Sequence, residues 1–248
     1  MKNYIIGIIG AKNSGKDTIA SMINYIFAVG TTKASYVDYL IKKMNIDHNY
    51  KDRIVHFADG LKDVLSIMYN IPRDKFDDRD SKDNMYYNIK SGTFLSCNAV
   101  ENKPDVEIIT IDKLQNHNIK YILDNSKCDF VYIKIRTLMQ YFGTDICRNM
   151  LADDIWIRQT MTKVVHIAET RKVCIVPDVR FSNEANVIRC CNVPLYGELI
   201  AVKRGNISNT SISEHSSENA NISADFNIDN NGTLMMLFYK VLEICQKI

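Results

Sequence analysis

Apolar positions along this chain follow two rhythms. Tyr4 to Ile9 is a continuous apolar run closed by Gly10, the pattern of a strand buried on both faces, and Asp17 to Phe27 then carries apolar residues at helical spacing. A short strand is expected at Arg53 to Phe57. It leads into a helix from about Gly60 to Tyr69, where Leu61, Val64, Leu65 and Met68 form a stripe. Between about 70 and 129 the rhythm degrades into a charge-dense stretch, Arg73 to Lys90, and short strand-like pieces such as Val106 to Ile111. That stretch reads as an insertion able to move over a ligand. Order returns with a strand at Phe130 to Ile135, helices from about Thr137 to Met150 and Asp154 to Thr170, and a strong strand at Lys172 to Val176. A helix near Ser182 to Cys190, strands at Leu199 to Lys203 and Phe226 to Ile228, and a last helix from Thr233 to Gln246 complete the pattern. Strands alternating with helices predict an α/β fold: a parallel sheet between helical layers, with ligands at the carboxyl ends of the strands.

Composition narrows the classes of function. With 248 residues, 46% of them apolar and 24% charged, the chain suits a single domain over 1–248 carrying that insertion. A net charge of +2 with no Lys/Arg block argues against a nucleic acid polymer as partner, so any phosphate chemistry is local. The first apolar run is too short for a membrane span and lacks the flanks of a signal peptide, which predicts a cytoplasmic protein with no membrane partner. Seven cysteines, an odd number without a C-x-x-C pair, read as reduced thiols and not as a disulfide framework or a zinc site.

The most informative segment joins the first strand to the first helix. Gly10 to Thr18, GAKNSGKDT, fits G-x-x-x-x-G-K in the strand-loop-helix context that a phosphate loop requires. Gly10 and Gly15 let the backbone turn its N–H groups toward an anion, and Lys16 adds a mobile charge for the outer phosphates. Lys12 and Ser14 lie within the same loop as further candidates for the donor phosphates. Asp17 stands where a metal-binding hydroxyl is usual, which moves the hydroxyl to Thr18. Asp17 therefore has three readings: a metal ligand, a group on the acceptor side, or an acidic residue favoured by the first turn of its helix.

Farther along, Arg136, Gln140, Thr144 and Arg148 recur every fourth residue and share one side of the expected helix. Leu138, Phe142, Ile146 and Met150 lie roughly 200° around and form its packing stripe. Gly143 costs about 1 kcal/mol in a helix interior, which points to a close approach by backbone or ligand. Two arginines flanking a glutamine and a small gap make a cradle for a nucleotide. The strand 173–178 ends in Asp178, where phosphate-loop enzymes set an acidic group beside Mg²⁺. Arg180 follows, with Glu184 one helical turn beyond, able to orient its guanidinium or accept a ligand hydrogen bond, or else forming a plain surface pair. Trp156, the single tryptophan, reads equally as core or as a wall for a base. Arg204 ends a strand within reach of a phosphate, whereas His215 and Glu218 read as hydrated loop residues.

Beside the GKDT loop stand Phe57-Ala-Asp-Gly-Leu-Lys62, Arg136-x-x-x-Gln140-x-x-Gly143-Thr144, Trp156, Asp178-Val-Arg-Phe-x-Asn-Glu184 and Asp229-Asn-Asn-Gly-Thr-Leu234. Together, in this order, they resemble the bacteriophage and viral deoxynucleoside monophosphate kinases over nearly the whole chain. The resemblance implies a three-layer P-loop kinase fold with a central parallel sheet and a mobile acceptor region over the site. It also implies transfer of the γ-phosphoryl group of ATP, with Mg²⁺, to a deoxynucleoside monophosphate in the cytoplasm, that of the host if the protein is viral. Ser14, Lys16, Asp17 and Thr18 would then serve the donor and metal, and Arg136, Gln140, Gly143, Thr144 and Trp156 the acceptor. Asp178, Arg180 and Glu184 would complete the transfer site. The partners expected are small molecules, with a homodimer left open. A kinase of the phosphomevalonate type and a non-catalytic nucleotide-binding module are the rival readings.

Overall fold

The computed structural model describes residues 2–44, 52–101, 105–191, 194–205 and 222–248. In chain order the strands are β1 (Asn3–Ile9), β2 (Met85–Asn88), β3 (Phe94–Ser96), β4 (Val106–Ile109), β5 (Phe130–Lys134), β6 (Val173–Val179), β7 (Leu195–Lys203) and β8 (Phe226–Asp229). The helices before β5 are α1 (Lys16–Val29), α2 (Tyr36–Met44), α3 (Asp59–Tyr69), α4 (Arg79–Asn84), α5 (Cys97–Glu101), α6 (Ile111–Asn116) and α7 (Ile119–Asn125). After β5 come α8 (Ile135–Gln140), a π-helix (Tyr141–Leu151), α9 (Ile155–Arg171), α10 (Ser182–Arg189) and α11 (Leu234–Lys247). The chain divides into two compact units, Met1–Phe57 with Ile157–Ile248, and Ala58–Trp156.

The first unit holds the central sheet, four parallel strands in the order β6-β1-β7-β8. β1 explains the three layers. Its Ile6 and Ile8 pack with Ile19, Met22, Ile23 and Ile26 of α1 and Phe238 and Val241 of α11. Ile5 points to the opposite face, where Val164 and Ala168 of α9 and Ala185 and Ile188 of α10 meet it. Each such fully buried side chain contributes about 1.5–3 kcal/mol relative to its exposed state, which is why the run tolerates no polar residue. α11 starts where Thr233 accepts the Met236 N–H on its side chain at 3.2 Å, a local N-cap. All seven cysteines are free thiols, and burial pushes those of Cys174 and Cys245 up to about 12, so neither is a nucleophile at neutral pH. Among the described residues no helix is long and apolar enough to cross a membrane.

Several expectations change here. The strand anticipated at 53–57 is one parallel bridge, Ile54 to Ile175 on β6, flanked by Val55 N–H to Ile175 O (2.9 Å) and Ile175 N–H to Arg53 O (2.7 Å). The helix α2 went unread: Tyr36, Tyr39 and Leu40 share a face packed on the first core, but the exposed Val37 and Ile41 on its other side blur that pattern.

The second unit has its own sheet, β3-β2-β5-β4, in which β2 runs antiparallel to β3 and β5 while β4 and β5 are parallel. The strand read at 130–135 belongs to this sheet and not to the central one. The unit also reaches beyond the polar stretch at 70–129, because Leu61 and Leu65 of α3 and Leu138, Tyr141 and Cys147 pack into one core with Ile109, Val131 and Ile133. The helix expected over 137–150 is α-helical only to Gln140 and continues as a π-helix, with Ala152 N–H reaching Cys147 O, five residues back, at 2.9 Å. The wider turn advances each residue through a smaller angle, so the apolar stripe drifts. Leu138 is fully buried, but Met150 at the stripe's far end is 72% exposed, and Tyr141 and Cys147 take the interior positions.

Candidate functional site

The phosphate loop of the first unit follows directly from β1. Between Ile9 and Lys16 the backbone enters the left-handed region twice, at Asn13 (φ 69°) and Gly15 (φ 102°). Such turns aim successive amides toward one side of a loop and make a concavity suited to an anion. Gly15 has a second constraint: a Cβ there would lie 2.4 Å from the side-chain nitrogen of Asn230. That amide donates to Ser14 O at 2.8 Å, so the β8–α11 turn braces the loop. Asn230 is a contributor that sequence reasoning left without a role. Its signal was present in the Asp229-Asn-Asn-Gly-Thr-Leu234 motif, but a bond spanning 216 residues has no local signature.

Within this frame Lys16 folds back, its ammonium donating to Gly10 O (2.5 Å) and Ala11 O (2.8 Å). The Ser14 side chain is 1% exposed, and its hydroxyl has no hydrogen-bond partner among the described residues. A buried hydroxyl left in this way costs on the order of 1–3 kcal/mol, an expense that a phosphate oxygen would remove. Asp17 is exposed on the first turn of α1, and its carboxylate bonds to no described residue; Thr18 beside it is half-buried. Lys12 is exposed on the loop.

Asp178 is placed by an irregularity of β6. Gly7 pairs with Val176 but Ile9 with Val179, so the segment with Pro177 and Asp178 carries one residue more than β1 opposite it. A bulge of this kind re-aims a side chain at a strand end, and it leaves Asp178 opposite Ile8 and Ile9, where β1 ends. Its carboxylate accepts the Phe57 N–H at 3.0 Å and is half-buried. Arg180, next along, is exposed, and its guanidinium makes no bond to a described residue. Glu184 departs from the expected pair. It is 2% exposed and accepts the backbone N–H groups of Arg180 (2.8 Å) and Phe181 (3.1 Å), closing the first turn of α10 instead of orienting the guanidinium. At the carboxyl ends of β7 and β8 an open groove is lined by Lys203, Arg204, Asp229 and Asn231, with Arg204 exposed on its rim. His215 and Glu218 lie outside the described residues.

In the second unit, Arg136, Gln140, Thr144 and Arg148 are all half-buried along α8 and the π-helix. Arg136 is held by Asp83 of α4 through its Nε, and Arg148 donates to Asp153 O at 3.1 Å. The side chains of Gln140 and Thr144 form no hydrogen bond with the described residues. Gly143 owes its identity to packing: a Cβ would lie 2.6 Å from Leu61 Cδ2 of α3. Trp156 is core, 6% exposed, and its indole donates to Gly143 O at 3.0 Å. These contacts account for both residues without a ligand. A charged network that sequence reasoning missed borders Arg136. Lys62, 8% exposed, bonds Asp77 (2.9 Å) and Asp59 (3.4 Å), and Arg73 joins Asp59, Asp63 and Asp77.

A protein-family model described as deoxynucleotide monophosphate kinase matches residues 4–241, nearly the whole chain. A search of curated proteins found no match.

Proposed function

The chain belongs to the deoxynucleotide monophosphate kinase family and phosphorylates deoxynucleoside monophosphates, and from that premise we propose that ATP with Mg²⁺ is the donor and that the residues above divide between two nucleotides. The observation that carries the donor half is the braced loop, with two left-handed residues, a lysine parked on loop carbonyls and the unpartnered buried hydroxyl of Ser14. Gly10, Lys12, Ser14, Gly15, Lys16 and Thr18 would hold the triphosphate. Lys16 would exchange its loop carbonyls for the outer phosphates when ATP arrives. The groove at Arg204 adjoins the loop through Asn230, which fits it for the rest of the donor nucleotide.

Asp17, Thr18 and Asp178 offer carboxylate and hydroxyl oxygens, the hard donors that Mg²⁺ takes, and Asp17 has its carboxylate uncommitted among the described residues. Bound there, the ion would neutralise charge on the donor's outer phosphates. Phosphoryl transfer needs little covalent help, so this chain's own task is to align the two phosphates, balance their charge and exclude water. Arg180, exposed and with its guanidinium bonded to no described residue, is available for the transferring group. Residues 58–156 would form the acceptor region of one kinase domain, with Arg136, Gln140 and Thr144 facing the acceptor.

The experiment is an ADP-release assay with saturating ATP and each of the four common deoxynucleoside monophosphates. Arg136→Ala should raise the acceptor KM about tenfold or more while leaving the KM for ATP within twofold, as expected for losing one charge-assisted contact. An unchanged acceptor KM would remove Arg136 from the site. Chelation of Mg²⁺ with EDTA should stop turnover, and full activity in its presence would overturn the metal assignment.

A further inference from the structure

Of the cations bordering Arg136, Lys82 differs from its neighbours. It sits on the short helix α4, one residue before the Asp83 that holds Arg136, and is half-buried. Lys62 has Asp77 and Asp59, Arg73 has three carboxylates and Arg136 has Asp83. The Lys82 ammonium has no hydrogen bond or ion pair with any described residue, although Asp77 and Asp83 act on it at longer range. Each of those carboxylates is committed to another cation. A partly desolvated ammonium beside two other cations is an arrangement that folding alone disfavours. The fold tolerates it here because α4 is anchored around it, Asp78 capping the Ser81 N–H at 2.7 Å and Asp83 gripping Arg136.

We propose that Lys82 is an acceptor-binding residue whose ammonium, with Arg136, takes the dianionic 5′-phosphate of the deoxynucleoside monophosphate. The assignment rests on the kinase reading above and deepens it, because it selects a cation within the 73–90 stretch where no contact had been placed. A phosphate monoester carries close to two negative charges at neutral pH, so it would supply the counter-charge that the protein withholds from Lys82. Burial first, then Lys62 and Arg136, push the Lys82 ammonium below its ordinary value, which agrees with a site built for an arriving anion. A lysine depressed in this way lowers folding stability in full below its folded value, and that cost fades as pH rises from there toward the ordinary lysine value. Removing the charge should therefore not harm the fold.

The test compares wild type, Lys82→Met and Lys82→Arg by steady-state kinetics, calorimetric titration and thermal unfolding. Lys82→Met should raise the KM and Kd for the monophosphate about tenfold or more and leave the KM for ATP within twofold. Binding of the matching deoxynucleoside, which lacks the phosphate, should not change, and Tm should stay level or rise. Lys82→Arg should retain most of the affinity. Unchanged monophosphate binding in Lys82→Met would overturn the proposal, and so would a loss of affinity accompanied by a fall in Tm or by equal weakening of the deoxynucleoside. Should the wild type itself neither bind nor phosphorylate any of the monophosphates, the kinase reading and this proposal would fall together, an outcome visible before any variant is made.

Discussion

Replacing Lys16 with alanine should lower kcat by about two to three orders of magnitude, the effect of deleting one preorganised charge from a phosphoryl-transfer site, with little change in Tm. The two halves of that expectation have separate causes. The ammonium donates to Gly10 O and Ala11 O, acceptors at the rim of a loop that water reaches. Two such bonds contribute modestly, because solvent replaces them when they are lost. The loop itself is held by other means, namely the Ser14 O to Asn230 amide bond and the left-handed turns at Asn13 and Gly15. ATP binding measured by titration should weaken less than turnover falls, since the backbone amides remain. A variant that keeps kcat within threefold of wild type would show that Lys16 does not act on the transferring group. Asn230→Ala offers a graded control. It removes the brace without touching a charge, and should raise the KM for ATP with a smaller effect on kcat.

What could be read from the sequence follows the range of the interactions involved. The phosphate loop was legible because strand, glycines, lysine and helix are contiguous between Tyr4 and Phe27, and the constraints on each residue are local. The parallel sheet was legible for a similar reason: buried strands such as β1 and β6 write their burial as unbroken apolar runs. Of the second sheet only β4 and β5 were read as strands. β2 and β3 are four and three residues long, and Tyr86 and Tyr87 are both buried despite adjacency, so alternation never develops. The π-helix was hidden as well, since its sequence has helical periodicity and only packing decides how the turns close. Glu184 and Lys82 show the same limit in charged residues. Sequence spacing placed Glu184 near Arg180 correctly, yet whether a carboxylate meets a guanidinium or the backbone N–H groups behind it depends on where the helix begins. Lys82 looked like one of many charges in a solvated stretch, and its isolation appears only when the partners of Lys62, Arg73 and Arg136 are counted.

Trp156→Ala should destabilise the protein by about 3–5 kcal/mol, the range for emptying a large buried aromatic site, and this is the sharpest test of how α8 and the π-helix are held. The indole is 6% exposed within the core formed by Leu61, Leu138, Tyr141 and Cys147, and its N–H is bonded to Gly143 O. Gly143 in turn admits Leu61 Cδ2 to where a Cβ would be, so tryptophan, glycine and leucine form one packed contact between α3, the π-helix and the start of α9. Trp156→Phe separates the components. It keeps most of the apolar volume and removes one hydrogen bond, which should cost about 1 kcal/mol, well under the alanine effect. Gly143→Ala provides the complementary perturbation. Its helix-propensity gain of about 1 kcal/mol is opposed by overpacking against Leu61 that costs about 1–3 kcal/mol, so the net effect should be destabilising. Leu61→Ala should then relieve part of the Gly143→Ala penalty in a double-mutant cycle. A base-stacking role predicts the reverse ordering of observables: Trp156→Phe would shift the acceptor KM while Tm stayed constant. Because the polar face with Arg136 and Gln140 is carried on the same helical segment, the packing account expects acceptor affinity to fall only in the variants whose Tm falls, and in proportion to it.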